Sequence, residues 1–110
     1  MRVPNRDKAI FDVRKVREYL LSSTHPVGRF KAQYFSVLGY DADAWTTLEA
    51  HLRETLDSDN VEYIEGEFGS KFVVRSIITS PSGIKARLIT VWIILNGEEN
   101  PRFVTAYPES

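Results

Sequence analysis

Residues 84–95, Ile-Lys-Ala-Arg-Leu-Ile-Thr-Val-Trp-Ile-Ile-Leu, constrain this chain more than any other stretch, because from Leu88 onward they are almost continuously apolar. Alternating polarity marks a strand with one wet face, whereas a short unbroken apolar run between turn signals marks a strand covered on both faces. Both turn signals are present. Ser80-Pro81-Ser82-Gly83 precedes the run, with proline suited to the second turn position, and Asn96-Gly97-Glu98-Glu99-Asn100-Pro101 follows it. The segment is expected as an internal strand. Neighbouring strands are expected at 61–67, at the β-branched and aromatic stretch 71–79, and at 102–107, with Gly66 and Gly69 bracketing the first turn.

Before Asn60 the apolar period is helical. Asp12 can cap a helix over 13–21 with Val13, Val16 and Leu20 on one face. Ser22-Ser23-Thr24 ends it, and a second helix starts near His25 or Pro26 and runs through Phe30, Tyr34, Phe35 and Leu38 to Gly39, a natural stop. Asp41 or Asp43 caps a third, with Trp45, Leu48, Leu52 and Leu56 in register. Helices followed by strands joined through short turns predict an α+β fold. About three N-terminal helices pack on one face of a C-terminal antiparallel meander of about four strands. Val16, Leu20, Phe35, Leu38, Trp45, Leu48, Leu52 and Trp92 are expected in the core between them. Ala9-Ile10-Phe11 is a short apolar lead-in, a brief strand or a staple.

With 110 residues, no repeat and no Pro/Ser-rich linker, the chain is expected as a single domain, 1–110. Cysteine is absent, which rules out disulfides and thiolate metal sites and fits a reducing, cytoplasmic setting. No apolar run approaches membrane-spanning length, and the polar start is unlike a signal peptide. The net charge of −1 supplies no global attraction for nucleic acid, so any RNA contact needs a local cationic patch.

Phosphate loops, dinucleotide fingerprints and zinc helices are missing. Asp57, Asp59 and Glu62 lack a calcium-loop pattern, and neither a metal nor a cofactor is expected. Of the two histidines, His51 flanks the apolar stripe of the third helix and reads as a rim residue. His25 stands at a helix junction before Pro26, Gly28, Arg29 and Lys31, and near-neutral histidines are the usual proton-transfer groups. Lys31 falls inside the arc of about 140° spanned by Phe30, Tyr34, Phe35 and Leu38. A lysine there either snorkels along apolar surface or sits in a cleft where its charge has a partner. In the last strand, alternation places Phe103, Thr105 and Tyr107 on one face and Arg102, Val104 and Ala106 on the other, although Arg102, at the strand's mouth after Pro101, can swing to either side. From the residues alone, strand propensity accounts for the two hydroxyls better than function does. Arg75 and Arg87 are cations within strands, of undetermined face.

Two motifs, His25-Pro26-Val27-Gly28-Arg29-Phe30-Lys31-Ala32 and Pro101-Arg102-Phe103-Val104-Thr105-Ala106-Tyr107, resemble those of an uncharacterised bacterial family of about this length. The resemblance covers nearly the whole chain. It implies a toxin of toxin–antitoxin or polymorphic-toxin type, with a small cognate antitoxin as partner. The layout is similar to the barnase–EndoU–colicin–RelE group of ribonucleases, an analogy of fold. It implies metal-free RNA cleavage by 2′-hydroxyl attack, with His25 as general acid or base. Lys31, Thr105 and Tyr107 would complete the catalytic group, and Arg29, Arg102 and Arg75 would hold the substrate. The alternative is a non-catalytic module that pairs with a neighbouring small protein, in which these residues are scattered in space.

Overall fold

The computed structural model describes the backbone of residues 1–20 and 29–109 and the side chains of 1–17 and 31–109. Four strands form one antiparallel meander in the order β1-β2-β3-β4: β1 Val61–Glu65, β2 Gly69–Thr79, β3 Lys85–Leu95 and β4 Arg102–Pro108. The apolar run is β3, an internal strand paired on both sides, as its composition requires. Its even positions Ala86, Leu88, Thr90 and Trp92 are buried in the helix-facing core together with Phe72, Val74 and Ile78 of β2. At Gly69 a Cβ would come within 2.2 Å of the Ile94 carbonyl oxygen, so only glycine admits this approach of β2 to β3. Outside the meander, an isolated parallel bridge joins Ile10 to Arg102, which makes the lead-in a strand-like strap.

The helices precede the sheet. The first, expected as an α-helix, is π-helical over Lys15–Leu20 after a start in which Asp12 Oδ1 accepts the Arg14 N–H (3.0 Å). Val16, within the π segment, is fully buried, while Val13, in the turn before it, is exposed. The expected helix stop at 22–24 and the second helix's start near His25 lie outside the described residues, as does the Leu20 side chain. Among them α1 is Arg29–Val37. It ends in a Schellman motif: Tyr40 N–H reaches the Phe35 carbonyl (3.0 Å), Gly39 N–H reaches that of Ser36 (2.9 Å), and Gly39 takes φ 96°. The accompanying apolar contact is the Phe35–Tyr40 ring pair, 5.9 Å between centroids.

Helix α2, Trp45–Glu54, is preceded by a turn in which Asp41, rather than Asp43, accepts the Ala44 N–H (2.8 Å). A 3-10 turn, Thr55–Asp57, continues it. Leu48, Leu52 and Leu56 are buried to the last per cent, and Trp45 packs half-buried at the margin of the same cluster. Val16, Phe35, Leu38, Leu48, Leu52 and Trp92 are all core residues as expected. The sheet and α2 are joined by a directional chain of buried donors. Trp92 Nε1 donates to Thr90 Oγ1 (2.9 Å), Thr90 and Thr55 share a hydroxyl contact (3.0 Å), and Thr55 Oγ1 donates to the Leu52 carbonyl (2.5 Å). Among the described residues no helix is long and apolar enough to cross a membrane.

Two substitutions test this packing by denaturant unfolding. Thr90→Val leaves the buried indole N–H without its acceptor and should cost about 1–3 kcal/mol. Leu52→Ala should cost about 2–5 kcal/mol through cavity formation. A loss under about half a kcal/mol at Leu52 would mean that α2 does not cover the sheet.

Candidate functional site

Strand β4 departs from simple alternation, and the site follows from that departure. Trp92 pairs with Phe103 but Val91 pairs with Thr105, so Val104 is an extra residue in a β-bulge. Phe103 and Ala106 therefore both enter the core, at 4% and 0% exposure. The expected grouping of Phe103 with Thr105 and Tyr107 is corrected by the bulge, and Arg102, whose side the sequence left open, falls on the face of Thr105 and Tyr107. Arg102, Thr105 and Tyr107 pair with Ile93, Val91 and Ile89, the odd residues of β3, and so share the sheet face turned away from the core. Arg75, paired with Ile89, and Arg87, paired with Ile77, lie on that same face.

Lys31 comes to this face from α1. Its neighbours Ala32, Phe35 and Leu38 are buried and Tyr34 is half-buried, so its place inside the apolar arc leaves it half-buried too. Its Nζ donates to Thr105 Oγ1, joining two positions 74 residues apart. Lys15, a residue that sequence reasoning did not select, donates through Nζ to the carbonyl of the bulged Val104 (3.1 Å). Two ammonium groups thus converge on adjacent positions of one bulge. Burial lowers the Lys31 pKa below the ordinary lysine value, and the nearby positive charge of Lys15 lowers it further. Lys15 carried no signal of its own, because its importance arises only once the π-helix is docked beside β4.

The remaining candidates are less closely gathered. Arg102 is held by Glu98 in a two-pronged ion pair (2.7 and 2.9 Å) that raises its own pKa and lowers that of Glu98. Arg75 is two strands away from Tyr107 and bound to Glu109 (3.1 Å), beside a groove of about 520 Å³ that Arg87, Glu54 and Asp57 also line. Tyr107 is exposed. His25 and the Arg29 side chain lie outside the described residues. His51 takes the rim position expected of it, with Nδ1 2.5 Å from the hydroxyl of buried Tyr40, whose pKa burial pushes up to about 12. Among the described residues, no three His, Cys, Asp or Glu side chains cluster closely enough to hold a metal ion.

A half-buried pair of ammonium groups beside a hydroxyl offers donors suited to an anionic oxygen. Charged Lys31 is the binding form. Its lowered pKa means that affinity is complete below that pKa and is lost as pH rises through it, earlier than for an exposed lysine. Titration of inorganic phosphate binding by NMR should show this early alkaline loss, and Lys31→Arg should move it to higher pH. Loss only where ordinary lysines titrate would assign the binding to exposed cations instead.

The family described as Domain of unknown function (DUF6883) matches this chain over residues 2–110. No curated protein matches it. Among solved structures, a chain of the "Contact-dependent growth inhibition toxin - immunity protein complex from Klebsiella pneumoniae 342" has the same fold, with a TM-score of 0.72 at 22% identity. The match covers 91% of this chain and 99% of that one.

Proposed function

This chain belongs to the DUF6883 family, whose description assigns no activity, and from that premise we propose that it is a metal-independent ribonuclease toxin domain. In this reading it works in a bacterial toxin–antitoxin or polymorphic-toxin system and is held in check by a small cognate protein. The observation that carries the reading is the Lys31–Thr105 contact beside Lys15 and the Val104 bulge. It links the His25–Ala32 segment to the Pro101–Tyr107 segment at one place, and it concentrates positive charge in a chain whose net charge is −1. Its fold likeness to a chain of a toxin–immunity complex adds support for the toxin setting.

The chemistry needs three things: a base for the RNA 2′-hydroxyl, an acid for the departing 5′-oxygen, and cations around the phosphorane. Lys31 and Lys15 would hold the non-bridging phosphate oxygens, with Arg29 and Arg102 as further contacts. Arg102 would have to leave Glu98 to take part, a competition that substrate charge favours. Thr105 would orient the phosphate, His25 would move the proton as general base or acid, and Tyr107 would donate or orient. Arg75 would contact a more distant part of the strand.

Inducible expression in a bacterium, with growth and total RNA followed, tests this. Wild type should arrest growth and degrade RNA, and cleavage by the purified chain should survive EDTA. His25→Ala, Lys31→Met and Tyr107→Phe should each lower cleavage by about 100- to 10,000-fold with thermal melts near wild type. Intact RNA and unharmed hosts would leave the second reading, a non-catalytic module that pairs with a small protein, which the similarity to a two-protein complex also favours.

A further inference from the structure

The two edges of the sheet are finished differently. Beyond β4, Ile10 occupies the edge: its N–H reaches the Pro101 carbonyl (2.8 Å) and its own carbonyl accepts the Phe103 N–H (2.9 Å). Lys15 takes the Val104 carbonyl beside it. Beyond β1, no strand of the described residues follows. Arg75 N–H to the Asn60 carbonyl (3.0 Å) and Gly66 N–H to the Gly69 carbonyl (2.9 Å) set the ladder's phase. By antiparallel alternation Asn60, Glu62, Ile64 and Gly66 bond inward to β2, and the N–H and C=O groups of Tyr63 and Glu65 point outward. Among the described residues, no segment outside the sheet bonds to those four groups.

An open edge of this kind is ordinarily blunted by proline, charged side chains or a bulge. Val61-Glu62-Tyr63-Ile64-Glu65 has no proline, lysine or bulge, and its protection is the negative charge of Glu62 and Glu65, which repels a like-charged strand and not a basic one. Around it, Tyr63, Ile64 and Phe68 are exposed at 48%, 44% and 73%, large apolar groups of the kind that anchor interfaces. Charge then selects the occupant. Asp59, Glu62, Glu65 and Glu67 are all exposed, and no lysine or arginine occurs from 58 to 70. A second copy paired edge to edge would bring two sets of these carboxylates together, which opposes self-association. A strand bearing lysine or arginine would gain backbone hydrogen bonds and complementary charge at once.

We propose that β1 is a docking edge that accepts an extended, basic strand of a partner protein as a fifth strand of the sheet. The inference rests on the edge alone and does not require the nuclease reading, whose Lys31–Thr105 contact lies at β4.

The probe is a synthetic strand of about nine residues alternating lysine with valine and threonine, set against the same peptide with glutamate for lysine. Amide hydrogen exchange at Tyr63 and Glu65 is read by NMR on the full chain. The lysine peptide should slow both amides by about tenfold or more, with protection weakening as salt is raised, and the glutamate peptide should leave them unchanged. Tyr63→Pro removes an outward N–H but no ladder bond, so the β1–β2 register should persist while protection at Glu65 disappears. The double variant Glu62→Lys, Glu65→Lys should reverse the peptide preference and gives a second readout should proline disturb the hairpin. RNA cleavage, followed on the same proteins, should not change, so failure of either idea is visible separately. No slowing at millimolar lysine peptide, equal slowing by both peptides, or a dimer of the free chain formed through β1 overturns the proposal.

Discussion

The buried indole of Trp92 sets the terms on which this molecule packs. Indole is a donor with no acceptor, and fully buried on β3 it is out of reach of water, so a core partner is obligatory. Thr90 supplies the acceptor, Thr55 takes up the hydroxyl of Thr90, and the Leu52 carbonyl completes the chain. Each proton has one place to go, which gives the helix layer one position over the sheet. Leu48, Leu52 and Leu56 are buried in the same cluster and add apolar burial to it. The polar chain supplies the position. On the other side of the indole, Phe11 meets Trp92 edge-on at 5.3 Å and stacks on Phe103 at 4.9 Å. Arg53 lies over the Phe11 ring and donates to the Ala9 carbonyl (2.7 Å), so α2 also holds the N-terminal strap in place.

Trp92 also explains the bulge. Phe103 sits opposite it and completes the aromatic cluster, and Ala106 sits fully buried opposite Thr90. Two residues lie between Phe103 and Ala106 and only one between Trp92 and Thr90, so one residue of β4 has no partner. Val104 is that residue. The consequence reaches the surface, because the polar members of the strand, Arg102, Thr105 and Tyr107, are brought to one face. Close aromatic packing within the core and the grouping of polar side chains outside it are thus two sides of one register shift.

Much of this was legible in the chain. Helix and strand identities, the internal position of β3 and most of the core follow from period and turn residues, which are properties of short stretches. Lys31 was also legible, since a cation inside an apolar arc has only a few places to go. Three things were not. The π turn at Lys15–Leu20 leaves an apolar spacing close to that of an α-helix. The Val104 bulge is invisible in Pro-Arg-Phe-Val-Thr-Ala-Tyr, where alternation alone assigns Arg102 and Thr105 to opposite faces. Lys15 looks like any solvated helix cation until the helix is set against β4.

The division has a physical cause. The chain by itself determined what depends on neighbours along the backbone: which segments coil, which extend, where they turn, and which faces must leave water. Tertiary structure decided what depends on partners far apart in sequence: the pairing of Trp92 with Phe103, the extra residue that pairing forces, and the meeting of Lys31 with Thr105 across 74 positions. A hydrophobic pattern specifies that a side chain must be buried but not against what. Register is chosen only when the donors, acceptors and volumes of two distant strands are satisfied together.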